Sequence, residues 1–326
     1  MPKVSNVVSA ERRKLVSGPL SKGDKWFFRT TSIASNFAFV LVALILLFLL
    51  IKSWPALESQ GPLFVFGDKW DAEADPPVMQ LGPMLWGSIL VAFLGISLAT
   101  PMAIAAAYVI VFMLPGSLAK VATTLIDLLA ALPSVVIGLW GLFSFAPVAA
   151  HWAKILNQSL GWIPIFAISD EEPTYIDSPF IAGWIVAIMV VPIITSVTRE
   201  IFSQMDSGLI NGALALGGSR FSVFSRVILP TSASGILGGI LLGLGRAIGE
   251  TVAILYVLQL SFDINWVQIL EARGGAVASW ILSRFGEATE TEFAGLMAAG
   301  LVIFIFTLVI NSIAGFIVNR APGSKR

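Results

Sequence analysis

Long stretches without a charged side chain are the feature that most constrains this sequence. The hydrocarbon core of a bilayer is about 30 Å thick, and a helix needs roughly 20 apolar residues to cross it. Only Arg246 and Glu250 interrupt the apolar stretch 227–262. Asp, Glu, Lys and Arg are absent from 30–51, 76–119, 128–153, 178–198 and 293–319. Since 56% of the residues are hydrophobic and only 12% are charged, we predict a polytopic membrane protein.

Each uncharged stretch is predicted to form a transmembrane helix, because backbone groups in lipid must find their hydrogen-bond partners internally. No segment shows the alternation of an outer-membrane barrel, so the predicted fold is all-α. Residues 155–169 are short, polar at one end and broken by Gly161 and Pro164, which favours an interfacial or loop segment. The six predicted spans are 33–51, 84–113, 121–147, 179–198, 231–258 and 293–318.

Lys and Arg are distributed unequally between the two sides of this topology. Six spans place 14 of the 20 basic residues on the side of the termini and five on the other side. Because Lys and Arg collect in the cytoplasm, both termini are predicted to be cytoplasmic. The predicted organisation is a tail (1–32), a first helix with its outer loop (33–83), a five-helix core (84–318) and a second tail (319–326). The sequence pattern indicates no function for the outer segments 148–178 and 269–292.

Several function classes are excluded by what the chain lacks. It has no Cys and one His, so the usual zinc site and a Cys nucleophile are ruled out. No G-x-x-x-x-G-K-[ST] motif occurs, so no ATP-binding P-loop is predicted in this chain. Equal numbers of acidic and basic residues give no basic footprint for nucleic acid. We therefore predict no catalytic residues, no cofactor and no metal, and a transport subunit rather than an enzyme.

Arg246 and Glu250 are the costliest residues of the predicted spans, since an unpaired intramembrane charge costs about 3 kcal/mol or more. Their i, i+4 spacing places both on one face of the predicted fifth helix, where they can pair. Gly235, Gly239 and Gly243 on the same helix allow another backbone to approach closely. One interpretation is a structural ion pair between packed helices. The other is that Arg246 offers its planar fork to an oxyanion while Glu250 holds it when the path is empty.

Two further polar residues lie in the predicted third span. Asp127 stands near the start of this span. Two interpretations are open: the side chain lies at the cytoplasmic headgroups, or it lies in a transport pathway. Ser134 follows Pro133, which interrupts the span, and its hydroxyl is a candidate for the same pathway.

The cytoplasmic segment 199–230 has an unusual apolar pattern for a loop between spans. It predicts two short helices hinged at Gly217 and Gly218 with one apolar face. This face either packs against the ends of the protein's own helices or forms a docking surface for a cytoplasmic partner.

This segment resembles the EAA loop of bacterial ABC-importer permeases. NGALALG (211–217) is followed after nine residues by VILP (227–230), with Asn211 where the family often has Glu. GLGRAIGET (243–251), LLAALPSVVIGLWGLFSFAP (128–147), LGPMLWGS (81–88) and SRFGEA (283–288) resemble the C-type permease subunits of phosphate-specific importers. The residues that the loop resemblance assigns to coupling with an ATPase are Asn211, Gly212, Ala213, Leu216, Gly217, Leu229 and Pro230.

The resemblance implies a type I ABC-importer permease fold and inward transport of inorganic phosphate by alternating access. It places Arg246 and Glu250 in the translocation path, with Ser134 as a further candidate. It implies a second, A-type permease, an ATPase dimer that binds ATP and Mg²⁺, an external phosphate-binding protein, and the bacterial cytoplasmic membrane. A permease for another oxyanion, such as sulfate or molybdate, remains an alternative. An ion-coupled secondary anion transporter or channel would explain Arg246 and Glu250 but not the apolar loop.

Overall fold

The structure is a computed structural model that describes residues 21–169 and 173–320. Most of the predicted tail 1–32 and residues 321–326 of the second predicted tail lie outside the described residues. A two-stranded antiparallel hairpin pairs Trp70–Asp71 (β1) with Val78–Met79 (β2). The helices are α1 (Lys22–Gln60), α2 (Leu63–Phe66), α3 (Gly82–Tyr108), α4 (Gly116–Ala130), α5 (Ser134–Trp140), α6 (Ala146–Leu160), α7 (Pro179–Ser203), α8 (Ser207–Ala215), α9 (Arg220–Val223), α10 (Leu229–Ile248), α11 (Val252–Val257), α12 (Val277–Arg284) and α13 (Glu290–Arg320).

Short π-helical turns lengthen several of these helices. Val109–Met113 extends α3, Gly141–Phe145 joins α5 to α6, and Phe224–Ile228 joins α9 to α10. Six helices of the described ranges are then long and apolar enough to cross a membrane: Lys22–Gln60, Gly82–Met113, Ser134–Leu160, Pro179–Ser203, Arg220–Ile248 and Glu290–Ile313. The predicted all-α polytopic membrane fold is confirmed.

The chain divides after Ile51 into two units, which we describe separately. The first unit consists, within the described part, of the N-terminal portion of α1, and none of its side chains from 21 to 51 is buried. Its apolar side chains therefore face outward on all sides, as expected for a helix that meets lipid or another chain.

The second unit is organised around α7. Ser178 precedes this helix and Pro179 occupies its first position, where the missing N–H and the fixed φ of proline are suited to a helix start. About two-thirds of its apolar window is buried, and it packs against α3, α10 and α4. Because other helices cover most of its surface, α7 is the central helix of this unit.

The predicted third span, 121–147, is wrong as a single helix. α4 ends at Ala130 and a new helix begins at Ser134, immediately after Pro133. Proline has no N–H and its ring clashes with the preceding turn, so the helix stops before it. The later helix continues to Leu160, so the first part of 155–169 is helical rather than loop, and a 3₁₀ turn follows at Pro164–Phe166.

The predicted fifth span, 231–258, is wrong at both ends. Its helix begins at Arg220 and ends at Ile248, and α11 starts afresh at Val252. The predicted second short helix of the 199–230 segment is consequently the first part of this spanning helix. The helices of the other predicted spans are longer than predicted at one or both ends.

Candidate functional site

Small residues bring α10 into close contact with α7. A Cβ atom at Gly243 would lie 2.5 Å from Val190 Cγ1, and one at Gly239 would lie 3.2 Å from Val197 Cβ. A Cβ at Gly235 would meet the end of the Ile201 side chain. The structure thus places all three predicted packing glycines against one helix, where they allow the two backbones to approach closely.

Arg246 lies level with the middle of α7. It stands three residues beyond Gly243, which faces Val190, and Val190 is near the centre of the 25-residue α7. Its side chain is exposed on the second unit. Within the described ranges, neither a hydrogen bond nor an ion pair joins it to another residue.

The predicted placement of Arg246 and Glu250 on one helix face is wrong. α10 ends at Ile248, and Glu250 lies in the three-residue break between α10 and α11. It is buried, with 8% exposure, and its Oε1 accepts a hydrogen bond from the Ala253 N–H over 3.4 Å. A carboxylate that accepts from a first-turn N–H stabilises a helix start, so Glu250 contacts the first turn of α11 instead of pairing with Arg246.

The break between α4 and α5 lies beside the break between α10 and α11. A Cβ at Gly138 on α5 would lie 2.7 Å from Ala253 Cα on α11, and one at Gly141 would lie 3.3 Å from Val257 Cγ1. The two helices therefore run parallel, and Ser134, one turn before Gly138, is level with the break that contains Glu250. Interrupted helices at membrane depth are tolerated where they line a cavity or are buried in protein.

Asp127 lies on the surface of α4, well inside the end of α7. The Ser196 hydroxyl donates a hydrogen bond to Asp127 Oδ1 over 3.3 Å. Ser196 itself lies seven residues before the end of α7, which corresponds to about 10 Å. Nothing in the sequence pattern pointed to Ser196, because the contact joins residues 69 positions apart.

The 199–230 segment contains a helix whose ends are both specified by local hydrogen bonds. Asp206 Oδ1 accepts from the Gly208 N–H over 2.8 Å at the start of α8. At its end, Gly217 N–H donates to Leu214 O over 2.9 Å and Gly218 N–H donates to Ala213 O over 3.1 Å. This pair of bonds is the Schellman motif, and the φ of 82° at Gly217 is the left-handed conformation that it requires.

The two sides of this segment have different surroundings. Ala213 and Leu229 pack against a buried cluster around Phe202, whereas Leu216 and Phe221 are 91% and 77% exposed. Asn211, Gly212, Gly217 and Pro230 are exposed as well. One portion of the apolar face is therefore covered by the protein's own helices, as one interpretation predicts, and the other portion is uncovered.

The predicted outer side holds an ion pair that the sequence analysis did not find. Arg284 Nε and Nη2 donate to the two carboxylate oxygens of Glu292 over 2.8 and 3.1 Å. The Trp70 Nε1–H also donates to Glu292 Oε1, over 3.1 Å. The hydrogen bond from Arg284 to the Glu292 carboxylate raises the guanidinium pKa, and Glu292 is 3% exposed. The cluster ties the hairpin, α12 and the start of α13 together.

Asp177 precedes α7 on the same side. Its φ is 63°, a conformation that Asp and Asn adopt more readily than most residues. Burial raises the pKa of its carboxyl above the usual range, since desolvation disfavours the charged form. Among the described residues, no group of His, Cys, Asp and Glu could hold a metal ion.

Comparison with known proteins identifies what this arrangement resembles. The family described as the binding-protein-dependent transport system inner membrane component matches residues 99–321. The phosphate transport system permease protein PstC of Pasteurella multocida is 32% identical over 299 residues, 90% of this chain and 91% of that protein. PstC of Xylella fastidiosa strain Temecula1 is 34% identical over 300 residues, 90% of both chains.

Solved structures share the fold at low sequence identity. A chain of the bacterial alginate ABC transporter superposes with a TM-score of 0.59 at 15% identity, covering 92% of this chain and 96% of that one. A chain of the MetNI methionine ABC transporter gives a TM-score of 0.52 at 13% identity, covering 73% of this chain and 94% of that one. The fold is therefore that of an ABC-transporter membrane subunit.

Proposed function

The chain belongs to the family of binding-protein-dependent transport system inner membrane components, and from that premise we propose that it is the permease subunit of an ATP-driven importer of inorganic phosphate. It is a multi-pass subunit of the inner membrane that moves a solute rather than an enzyme that transforms one. Its sequence identity of 32% to 34% to phosphate permeases of other bacteria, over about 90% of both chains, supports phosphate as the solute.

The exposed guanidinium of Arg246 at mid-depth is the observation that carries this proposal. An arginine fork donates two parallel hydrogen bonds to two oxygens of an oxyanion. Because Glu250 contacts the first turn of α11, the guanidinium is left available for an anion. Transport also requires release, so a single arginine is better suited to a pathway than a cluster that would trap its cargo.

Ser134 and Glu250 complete the proposed pathway in different roles. Ser134 starts a helix at the level of the α10–α11 break, where its hydroxyl can donate to an anion. Glu250 acts through the backbone, by stabilising the start of α11 and so the position at which α10 ends.

The uncovered part of the 199–230 segment is the proposed docking surface for the ATPase. Leu216 lies at the end of α8, Phe221 lies at the start of α9, and both are exposed. Apolar side chains on a rigid turn are suited to a groove in a partner protein. The Schellman motif at Gly217 makes that turn rigid, so movement of a docked ATPase would pass to α10 through the continuous helix Arg220–Ile248.

The remaining partners follow from this assignment. ATP and Mg²⁺ would bind to two ATPase subunits on the cytoplasmic side, together with a second permease and an external phosphate-binding protein. Both termini would be cytoplasmic, as the distribution of Lys and Arg predicts. The exposed side of α10 that carries Arg246 would face the second permease.

Uptake of labelled phosphate by the complete importer in proteoliposomes tests the proposal. The binding protein is supplied outside and ATP inside. Arg246→Gln should reduce uptake more than about 100-fold, because two hydrogen bonds to a charged group contribute about 3 kcal/mol together. Arg246→Lys, which keeps the charge and loses the fork, should retain part of the activity.

Co-purification of the ATPase with each variant verifies assembly. Normal phosphate uptake by Arg246→Gln would refute the pathway assignment. Uptake by the wild-type chain without ATP or ATPase would instead indicate a secondary transporter or channel. Uptake of sulfate or molybdate in place of phosphate would identify another oxyanion as the cargo.

A further inference from the structure

Asp127 is a carboxylate beside the membrane-spanning helix α7, and the proposed function assigns it no role. It lies eleven residues after the start of α4, and it accepts the Ser196 hydroxyl hydrogen bond about 10 Å inside the end of α7. Acidic residues at such a depth are rare, and they mark functional positions more often than structural ones.

The carboxylate lies on the cytoplasmic side of Arg246. Gly243 faces Val190, and Arg246 lies three residues farther along α10 toward the outer side. On α7, Ser196 lies six residues farther toward the cytoplasm than Val190. At 1.5 Å per residue, the two charged groups differ in depth by about 10 to 14 Å. An anion that moves inward from Arg246 would reach Asp127 next.

The residues of α7 that contact α4 and those that contact α10 point in different directions, and a strip of the α7 surface lies between them. A helix turns about 100° per residue, so Ser196, which contacts α4, points about 130° away from the centre of the face that contacts α10. Ile193 lies between the two directions and is partly exposed. The face that contacts α10 contains Val190, Ile194, Val197 and Ile201.

Arg246 projects toward this strip. The face of α10 that packs on α7 contains Gly235, Gly239 and Gly243, and Arg246 points about 20° from the centre of that face. Because α7 and α10 run in opposite directions, the side of α10 that carries Arg246 is the side turned toward α4. Arg246 on α10 and Asp127 on α4 are therefore on the same side of α7, at different depths.

We propose, resting on the function proposed above, that Asp127 is a repulsive group on the exit side that hinders the return of cytoplasmic phosphate to Arg246. The Ser196 hydroxyl holds the carboxylate against α7. Repulsion between two unit charges about 10 Å apart, at an effective dielectric constant of about 20, corresponds to roughly a tenfold change in affinity. The Arg246 site would release its anion more readily when it opens inward. Phosphate accumulated inside would then compete less with transported phosphate for this site.

Inhibition by internal phosphate tests this role. Proteoliposomes that contain the complete importer and ATP are loaded with increasing phosphate, with internal chloride adjusted to constant ionic strength. Uptake of labelled phosphate is expressed relative to the same variant without internal phosphate. For Asp127→Asn we expect half-inhibition at about a tenfold lower internal phosphate concentration than for the wild type. Asp127→Glu should restore the wild-type value.

Thr124→Val is the matched control, since it removes a hydroxyl from the same helix without changing charge. It should keep the wild-type sensitivity to internal phosphate. Equal half-inhibitory concentrations for Asp127→Asn and the wild type would overturn the exit-side role and leave the phosphate importer intact. Loss of uptake in both Asp127→Asn and Asp127→Glu would overturn it too, by indicating a structural role. Absence of ATP-dependent uptake in the wild type would refute the proposed function itself.

Discussion

The contact between α10 and α7 can be tested with the same substitution at two positions of one helix. Gly243→Ala would place a Cβ 2.5 Å from Val190 Cγ1, whereas a Cβ at Gly238 meets nothing within 4 Å. Carbon atoms pack best about 3.5 to 4.0 Å apart. The new methyl group at Gly243 would therefore overlap Val190 by about 1 Å. Val190 is fully buried and β-branched, so it has little freedom to move away.

The expected magnitudes follow from these distances. Replacing Gly by Ala in a helix contributes about 0.5 to 1 kcal/mol of stability, and Gly238→Ala should show this gain alone. At Gly243 the overlap should cost about 1 to 3 kcal/mol, because the helices must separate or Val190 must leave its rotamer. The two variants should consequently differ in stability by about 2 kcal/mol.

Thermal unfolding of the purified chain in detergent measures this difference. Gly243→Ala should unfold several degrees below Gly238→Ala. Uptake should also fall for Gly243→Ala, since Arg246 is positioned one turn beyond the contact. If Gly243→Ala unfolds at the same temperature as Gly238→Ala, or above it, the tight α7–α10 contact is wrong. The depth assigned to Arg246 would then be wrong with it.

Three other changes test separate parts of the structure. Leu216→Ala should leave the unfolding temperature unchanged and weaken ATPase binding about tenfold or more. The reason is that burial of an exposed leucine in an interface contributes about 1.5 to 3 kcal/mol. Unchanged affinity in a binding titration would exclude this residue from the interface. Arg284→Gln should destabilise the chain by about 3 kcal/mol or more in chemical denaturation, since it leaves the buried Glu292 carboxylate without its cation. Equal denaturation midpoints for the variant and the wild type would contradict the outer ion pair. Asp177→Asn should raise the unfolding temperature at pH 7. The pKa of Asp177 is raised in the folded state, so its contribution to stability is present at low pH and is lost as the pH rises through that pKa. The advantage of Asn should disappear on acidification, and an advantage that persists at low pH would show that burial of the charge is not the cause.

The sequence predicted the number of spanning helices and the fold class well, because both follow from the cost of exposing polar backbone and charge to lipid. It also predicted the glycine face of α10, since small residues at four-residue spacing have few other uses in a membrane helix. The ion pair between Arg284 and Glu292 had no comparable signal. Its third member, Trp70, lies 222 positions from Glu292, and only the folded chain brings them together.

The helix breaks show why hydropathy could not locate the site fully. Pro133 was visible in the sequence as an interruption, but apolar residues continue on both sides of it. A hydropathy pattern therefore allows a bent helix or two helices equally well. The end of α10 was harder to predict, because an apolar stretch runs through Gly249 and into α11.

The break after Ile248 changes the physical meaning of the charged pair. An i, i+4 salt bridge would have neutralised Arg246 within its own helix and explained its presence as structural. With the helix ended, Glu250 accepts the Ala253 N–H and Arg246 has no partner among the described residues. A guanidinium at mid-depth is costly in lipid, so its stability requires water, an anion or a carboxylate from another chain. Water or an anion would need a polar opening at that position, whereas a carboxylate would need a second chain packed against α10. The unpaired charge therefore supports the proposed pathway at an interface with another chain.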